Sequence, residues 1–135
     1  MTPTRPDEPV AGDPLFGIVG VAASAGGLNA LSVVLGSLPA DLPVPVVVVQ
    51  HLDPRHRSLM ADLLDRRTGL VVREAAEDEK LEPGNVWIAP PNRHLLIRAG
   101  GTLALSDSER VHFVRPSADL LFESMAGAYG DRAVA

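Results

Sequence analysis

Cysteine is absent from these 135 residues, which excludes disulfides, thiol nucleophiles and cysteine-ligated zinc. Aromatic residues make up only 4%, so a core has to be built from Val, Leu, Ile and Ala. Basic residues are also short, 12 against 17 acidic ones, for a net charge of -5. That balance argues against a nucleic-acid partner, because neutralising phosphates takes clustered Lys and Arg. Long hydrophobic runs are missing as well. The longest, Val44 to Val49, falls far short of the roughly 20 apolar residues that span a bilayer, so no membrane insertion is expected. The N-terminus has no basic start followed by an apolar run, so it does not read as a signal peptide, and the default location is the cytoplasm.

What is present fits one domain. Met1 to Pro14, rich in Pro and Asp, reads as a disordered leader (1–14), with the domain over 15–135. Phe16 to Val21 is a short buried strand by its Ile and Val content, and Ala22 to Gly27 a turn of small residues. Leu28, Leu31, Leu35 and Leu38 recur at helical spacing, and Pro39 and Pro43 end that helix. Val44 to Gln50 is apolar almost throughout, as in a parallel strand covered on both faces, with Pro45 at its start.

Leu59, Met60, Leu63 and Leu64 mark a second helix over Arg57 to Arg67, with Gly69 as its cap. Leu70 to Arg73 and Val86 to Ala89 are further short strands, separated by a solvated acidic loop from Glu74 to Glu82. Leu95 to Arg98 and Thr102 to Leu105 flank Gly100 and Gly101 and predict a β-hairpin. Pro116 and Ser117 open a last helix that Gly130 closes, and Arg132 to Ala135 begin another strand. This alternation predicts an α/β fold: a doubly wound, mostly parallel sheet with an antiparallel hairpin, incomplete at the C-terminus.

In such a sheet the strand C-termini share one edge, and ligands bind there, where the strand order reverses. Ser24 follows the first strand and His51 the second, so both are expected at that edge. Ser24 lies in Ala23-Ser24-Ala25-Gly26-Gly27, directly before a helix. Small residues permit a sharp turn and close approach of a substrate, and the free N–H groups of a helix start can hold an oxyanion. Histidine is the usual base for activating serine. The arrangement resembles a nucleophile elbow without the G-x-S-x-G sequence.

Plainer readings stand beside this one. A serine in a strand-to-helix turn is most often a helix cap, and a histidine after a buried strand is commonly a hydrogen-bonded structural residue. His51, Asp53 and His56 could alternatively ligate a metal, although Asp53-Pro54 also suits a helix start. His94 and His112, in or near the hairpin, are expected on the surface. The glycine turn lacks both G-x-G-x-x-G and a P-loop lysine, so it is not read as a nucleotide loop.

Four stretches, in order, resemble the catalytic domain of the chemotaxis protein-glutamate methylesterases, the CheB family. They are Gly17 to Gly27, Val46 to His51, Leu81 to Pro90 and Arg115 to Phe122. The resemblance runs from about Phe16 to the end and implies that 15–135 is a partial methylesterase domain. It implies hydrolysis of glutamate methyl esters on chemoreceptors, with glutamine deamidation in some members. Ser24 would be the nucleophile and His51 the general base, with no cofactor and no metal. The implied partner is the cytoplasmic domain of a methylated chemoreceptor or a related signalling protein.

Three departures accompany the resemblance. The family's third triad member is an Asp in a glycine-rich loop beyond the strand that follows the last helix. No residue here matches it, and Asp53, Asp107, Asp119 and Asp131 stand at the wrong place in the order of elements. The fourteen leader residues cannot hold the receiver domain of regulated members. His51-Leu52-Asp53-Pro54 is closer to the variant fused to or paired with a methyltransferase. A non-catalytic receptor-binding or signalling module, lacking the triad Asp, is the alternative from another class.

Overall fold

The computed structural model describes residues 17–24, 27–50, 60–108 and 115–135. The expected leader over 1–14, residues 51–59 at the start of the second expected helix, and His112 lie outside the described residues. The strands are β1 (Ile18–Ala23), β2 (Val46–Gln50), β3 (Val71–Glu74), β4 (Asn85–Ile88), β5 (His94–Ile97), β6 (Leu103–Ser106) and β7 (Ala133–Val134). The helices are α1 (Gly27–Gly36), α2 (Met60–Asp65) and α3 (Ala118–Tyr129).

The main sheet has the order β3-β4-β2-β1-β7, and all its pairs are parallel. Strand β2 explains its own sequence. All five of its residues are buried, Val47 and Val49 on one face and Val46 and Val48 on the other, so no position is free to be a surface polar residue. Pro45 stands just before the strand, where its missing N–H costs no ladder bond, and its carbonyl accepts from Val19 N–H at 3.1 Å.

The two faces carry separate cores. Against one lie Leu31 and Leu35 of α1 with Leu64 of α2, together with Val46, Val48, Val72 and Ile88. Asp65, at the end of α2, accepts from the Val72 N–H at 2.9 Å and ties that helix to β3. Against the other face lie α3 and the hairpin, with Leu121, Met125, Leu95 and Leu103 packed on Ile18, Val49 and Trp87.

Helix α3 crosses β1 closely because Gly20 of β1 stands at the crossing. A methyl group on Gly20 would stand 2.6 Å from Met125 Sδ and 2.9 Å from Phe122 Cε1. Gly20→Val is therefore expected to destabilise the fold by about 1–3 kcal/mol, the range for overpacked sites. A chemical-denaturation midpoint unchanged from the parent would contradict this packing. Gly17 meets Tyr129 in the same way, with 2.8 Å to the ring. Partial burial of Tyr129 raises its pKa above the usual 10, opposed by the nearby charge of Arg132.

The expected antiparallel hairpin is present as β5-β6, a two-stranded sheet of its own beside the main parallel sheet. Its four-residue ladder packs apolar side chains on α3, which gives those strands a face to bury without joining the parallel ladder. The turn closes with Gly101 N–H donating to the Arg98 carbonyl at 2.9 Å and Gly101 at φ 82°, a conformation that favours glycine. Strand β1 runs on through Ala22 and Ala23, expected to be turn, because its backbone stays paired with β2 as far as Gln50. Pro116 stands outside α3. Ser117 is the N-cap, with its Oγ accepting from Leu120 N–H at 3.3 Å.

The acidic loop is bound to its surroundings rather than simply solvated. Lys80 bridges to Thr102, and Asp78 N–H donates to the Leu103 carbonyl at 2.9 Å. Arg98 pairs with Glu77 and Asp78, and the bond to Asp78 is the largest influence raising its pKa. Glu79 takes the Trp87 indole N–H on Oε2 at 3.3 Å and the Ala76 N–H on Oε1 at 2.7 Å. The acidic side chains thus act as acceptors for backbone, indole and guanidinium donors that face them across the loop.

Candidate functional site

Parallel pairing sets the geometry of the site. Ala23 of β1 lies level with Gln50 of β2, so Ser24 is the residue that leaves the sheet beside the end of β2. The two strands are direct neighbours in the sheet. Strand β1 also stands where the order reverses, with β2 on one side and β7 on the other, and its carboxyl end is the edge that binds ligands in open α/β sheets.

Ser24 is exposed. Its carbonyl is held twice, by the Gly27 N–H at 2.8 Å and by Gln50 Nε2 at 3.1 Å. The first bond closes the turn into α1, and the second reaches it from the neighbouring strand. Gly27 is required by this closeness: a methyl group there would lie 2.6 Å from Gln50 Oε1 and 2.7 Å from the Ala23 Cβ. Helix α1 starts at Gly27, three residues after Ser24, so its first-turn N–H groups and positive dipole end lie near Ser24. An exposed hydroxyl beside such donors can serve as a nucleophile whose oxyanion intermediate is stabilised by backbone dipoles.

His51, the expected base, follows Gln50 in sequence and lies outside the described residues, as do Ala25 and Gly26. Asp53 and His56, the other residues of the alternative metal reading, lie outside them too. Among the described residues no group of three or more His, Cys, Asp or Glu is placed to hold a metal ion.

His94 does not lie on the surface as expected. It is fully buried, and its Nδ1 accepts from the Ser117 N–H at 3.1 Å. The ring therefore holds the N-cap of α3 against the start of the hairpin, and accepting at Nδ1 puts the ring proton on Nε2. Nearby, Arg115 donates from Nε and Nη2 to Asn92 Oδ1 at 3.1 and 3.0 Å. Its Nη1 reaches the carbonyls of Asp107 and Ser108 at 2.9 and 3.1 Å. Asn92, at φ 61°, lies in the loop that leaves the carboxyl end of β4, so this guanidinium braces a loop that starts on the same sheet edge as Ser24. The sequence pattern signalled none of these roles except by a single oddity, an uncharged polar Gln50 ending an all-valine strand.

The sequence matches the family model described as CheB methylesterase over residues 19–135. A Leptospira interrogans protein, provisionally named a protein-glutamate methylesterase/protein-glutamine glutaminase, is 40% identical over 114 residues, covering 84% of this chain and 59% of its own length. A protein-glutamate methylesterase/protein-glutamine glutaminase of Symbiobacterium thermophilum is 39% identical over 117 residues, covering 87% of this chain and 32% of its own. The crystal structure of the Thermotoga maritima CheB methylesterase catalytic domain superposes with a TM-score of 0.82 at 35% identity, over 87% of this chain and 64% of that one. The chain thus spans less than two thirds of the length of each of these relatives.

Proposed function

Since the chain belongs to the CheB methylesterase family, we propose that it hydrolyses glutamate methyl esters on the cytoplasmic domain of a chemoreceptor or related signalling protein. The observation that carries the proposal is the exposed Ser24 at the carboxyl end of β1, level with the residue that precedes His51. In this reading Ser24 Oγ attacks the ester carbonyl carbon as His51 takes its proton. The oxyanion forms beside the N–H groups at the start of α1. Collapse of the intermediate expels methoxide, which leaves as methanol with the proton from His51. Water, deprotonated by His51, then attacks the acyl-serine and releases a free glutamate carboxylate and the serine hydroxyl.

The same steps on a glutamine side chain would release ammonia, the glutaminase activity in the names of the Leptospira and Symbiobacterium relatives. The product carboxylate adds a negative charge to the receptor, which is how the reaction would alter signalling. A methyltransferase acting on the same receptor is the partner that supplies the ester, and the reaction is assigned to the cytoplasm. Among the described residues no helix is long and apolar enough to cross a membrane.

The test is methanol release from a receptor peptide bearing a glutamate γ-methyl ester. Release of one methanol per new carboxylate, at a rate unchanged by a chelator, is the expected result. Binding of the peptide with no methanol released would favour the non-catalytic module, and loss of activity on chelation would favour the metal reading of His51, Asp53 and His56.

A further inference from the structure

We infer that Gln50 is a positioning residue for Ser24, a cross-strand clamp that fixes the nucleophile's backbone relative to the strand that leads into His51. The inference rests on the reading of Ser24 as nucleophile. Gln50 is 6% exposed and ends a strand whose other four residues are valines. A buried amide costs free energy unless its polar atoms are bonded, and a Leu or Met would fill the same space without that cost. Here only half of the amide is satisfied: Nε2 donates to the Ser24 carbonyl, while Oε1 has no hydrogen-bond partner among the described residues. The orientation follows from chemistry, since a carbonyl only accepts and so must face the nitrogen.

The bond does what the local turn alone does not. The Gly27 N–H to Ser24 carbonyl bond lies within the turn, so it shapes the turn without anchoring it to the sheet beyond β1. The Gln50 bond comes from the adjacent strand and fixes the turn relative to β2. The next residue of the chain is His51, so one side chain ties the nucleophile's backbone to the strand that leads into its base. The cost of this closeness is met at Gly27, where a methyl group would collide with the Gln50 amide. The Ser-x-x-Gly spacing and the Gln-His pair thus belong to one device.

The experiment is covalent labelling of the 135-residue chain with a fluorophosphonate, followed by mass spectrometry of Ser24. It compares the parent with Gln50→Met, of similar length but without a donor, and with Gln50→Glu, which stands in if the methionine variant does not fold. The expected result is a maximal labelling rate about tenfold to a hundredfold lower, with the half-saturating probe concentration unchanged, as for a misplaced reacting group. A merely structural residue would lower the melting temperature without this split. A maximal rate within about twofold of the parent would overturn the clamp. If the parent itself is not labelled, the nucleophile reading fails, and the clamp is judged by amide hydrogen exchange at Gly27. Exchange faster by about tenfold in Gln50→Met supports it, and equal rates overturn it.

Discussion

Ser24→Ala is expected to lower methyl-ester hydrolysis by about 10²-fold, to the level left by binding and backbone dipoles alone, because a chain with no match to the triad Asp starts about 10⁴-fold below a complete triad. The size of the effect follows from the chemistry: without Oγ no acyl-enzyme forms, and His51 has nothing to activate except water. Stability should hardly change, within about 0.5 kcal/mol, as for exposed substitutions that break no cap or network. Among the described residues, the bonds that shape the turn are made by the Ser24 carbonyl, which alanine keeps. Methanol release and a thermal melt on the same sample check both halves. A variant that hydrolyses at the parent's rate would put the nucleophile elsewhere.

Trp87→Ala is expected to cost about 3–5 kcal/mol, the largest effect on stability foreseen for a single residue here. Trp87 is the only tryptophan and is 2% exposed, packed in the core under α3 and the hairpin. Removing it opens a cavity between β4 and that layer and takes the indole N–H from Glu79 Oε2, which keeps its pairing with Arg73 at 3.6 Å. The Arg73 guanidinium, 5.8 Å from the ring centroid, loses its cation–π partner as well. Domains of this size have about 5–15 kcal/mol in total, so the variant should unfold at markedly lower urea, followed by circular dichroism because the fluorophore is gone. Trp87→Phe should cost far less, since it keeps most of the packing and loses mainly the indole bond. Equal losses in the two variants would mean that the bond to Glu79, not the packing, stabilises this corner.

The parts of the fold legible in the sequence are those set by local pattern. Val46 to Val49 has no polar alternation because both faces are covered, and Leu31 and Leu35 recur at helical spacing because one side of α1 meets the sheet. The turn at Ser24 was legible from its small residues, and its neighbourhood to the end of β2 from the parallel order. What escaped depends on partners distant in sequence. His94 is buried because Ser117 caps α3 against it, which no periodicity around His94 encodes. Gln50 looks like a strand-end polar residue until the Ser24 carbonyl is placed 3.1 Å from it. Glu77 and Glu79 look like surface charge until Arg98 and Trp87 face them.

The pairing of Ile18 with Ala133 and of Val19 with Val134 has a bearing on synthesis. The strand that delivers Ser24 comes earliest of the described elements, and its second neighbour comes last. As the chain leaves the ribosome, β1 can zip to β2 early, yet its other flank stays bare until β7 has emerged. Contacts so far apart in sequence form slowly. The nascent chain therefore carries an open strand edge beside its serine from the emergence of β2 until that of β7, and this is the stage at which a chaperone would find it.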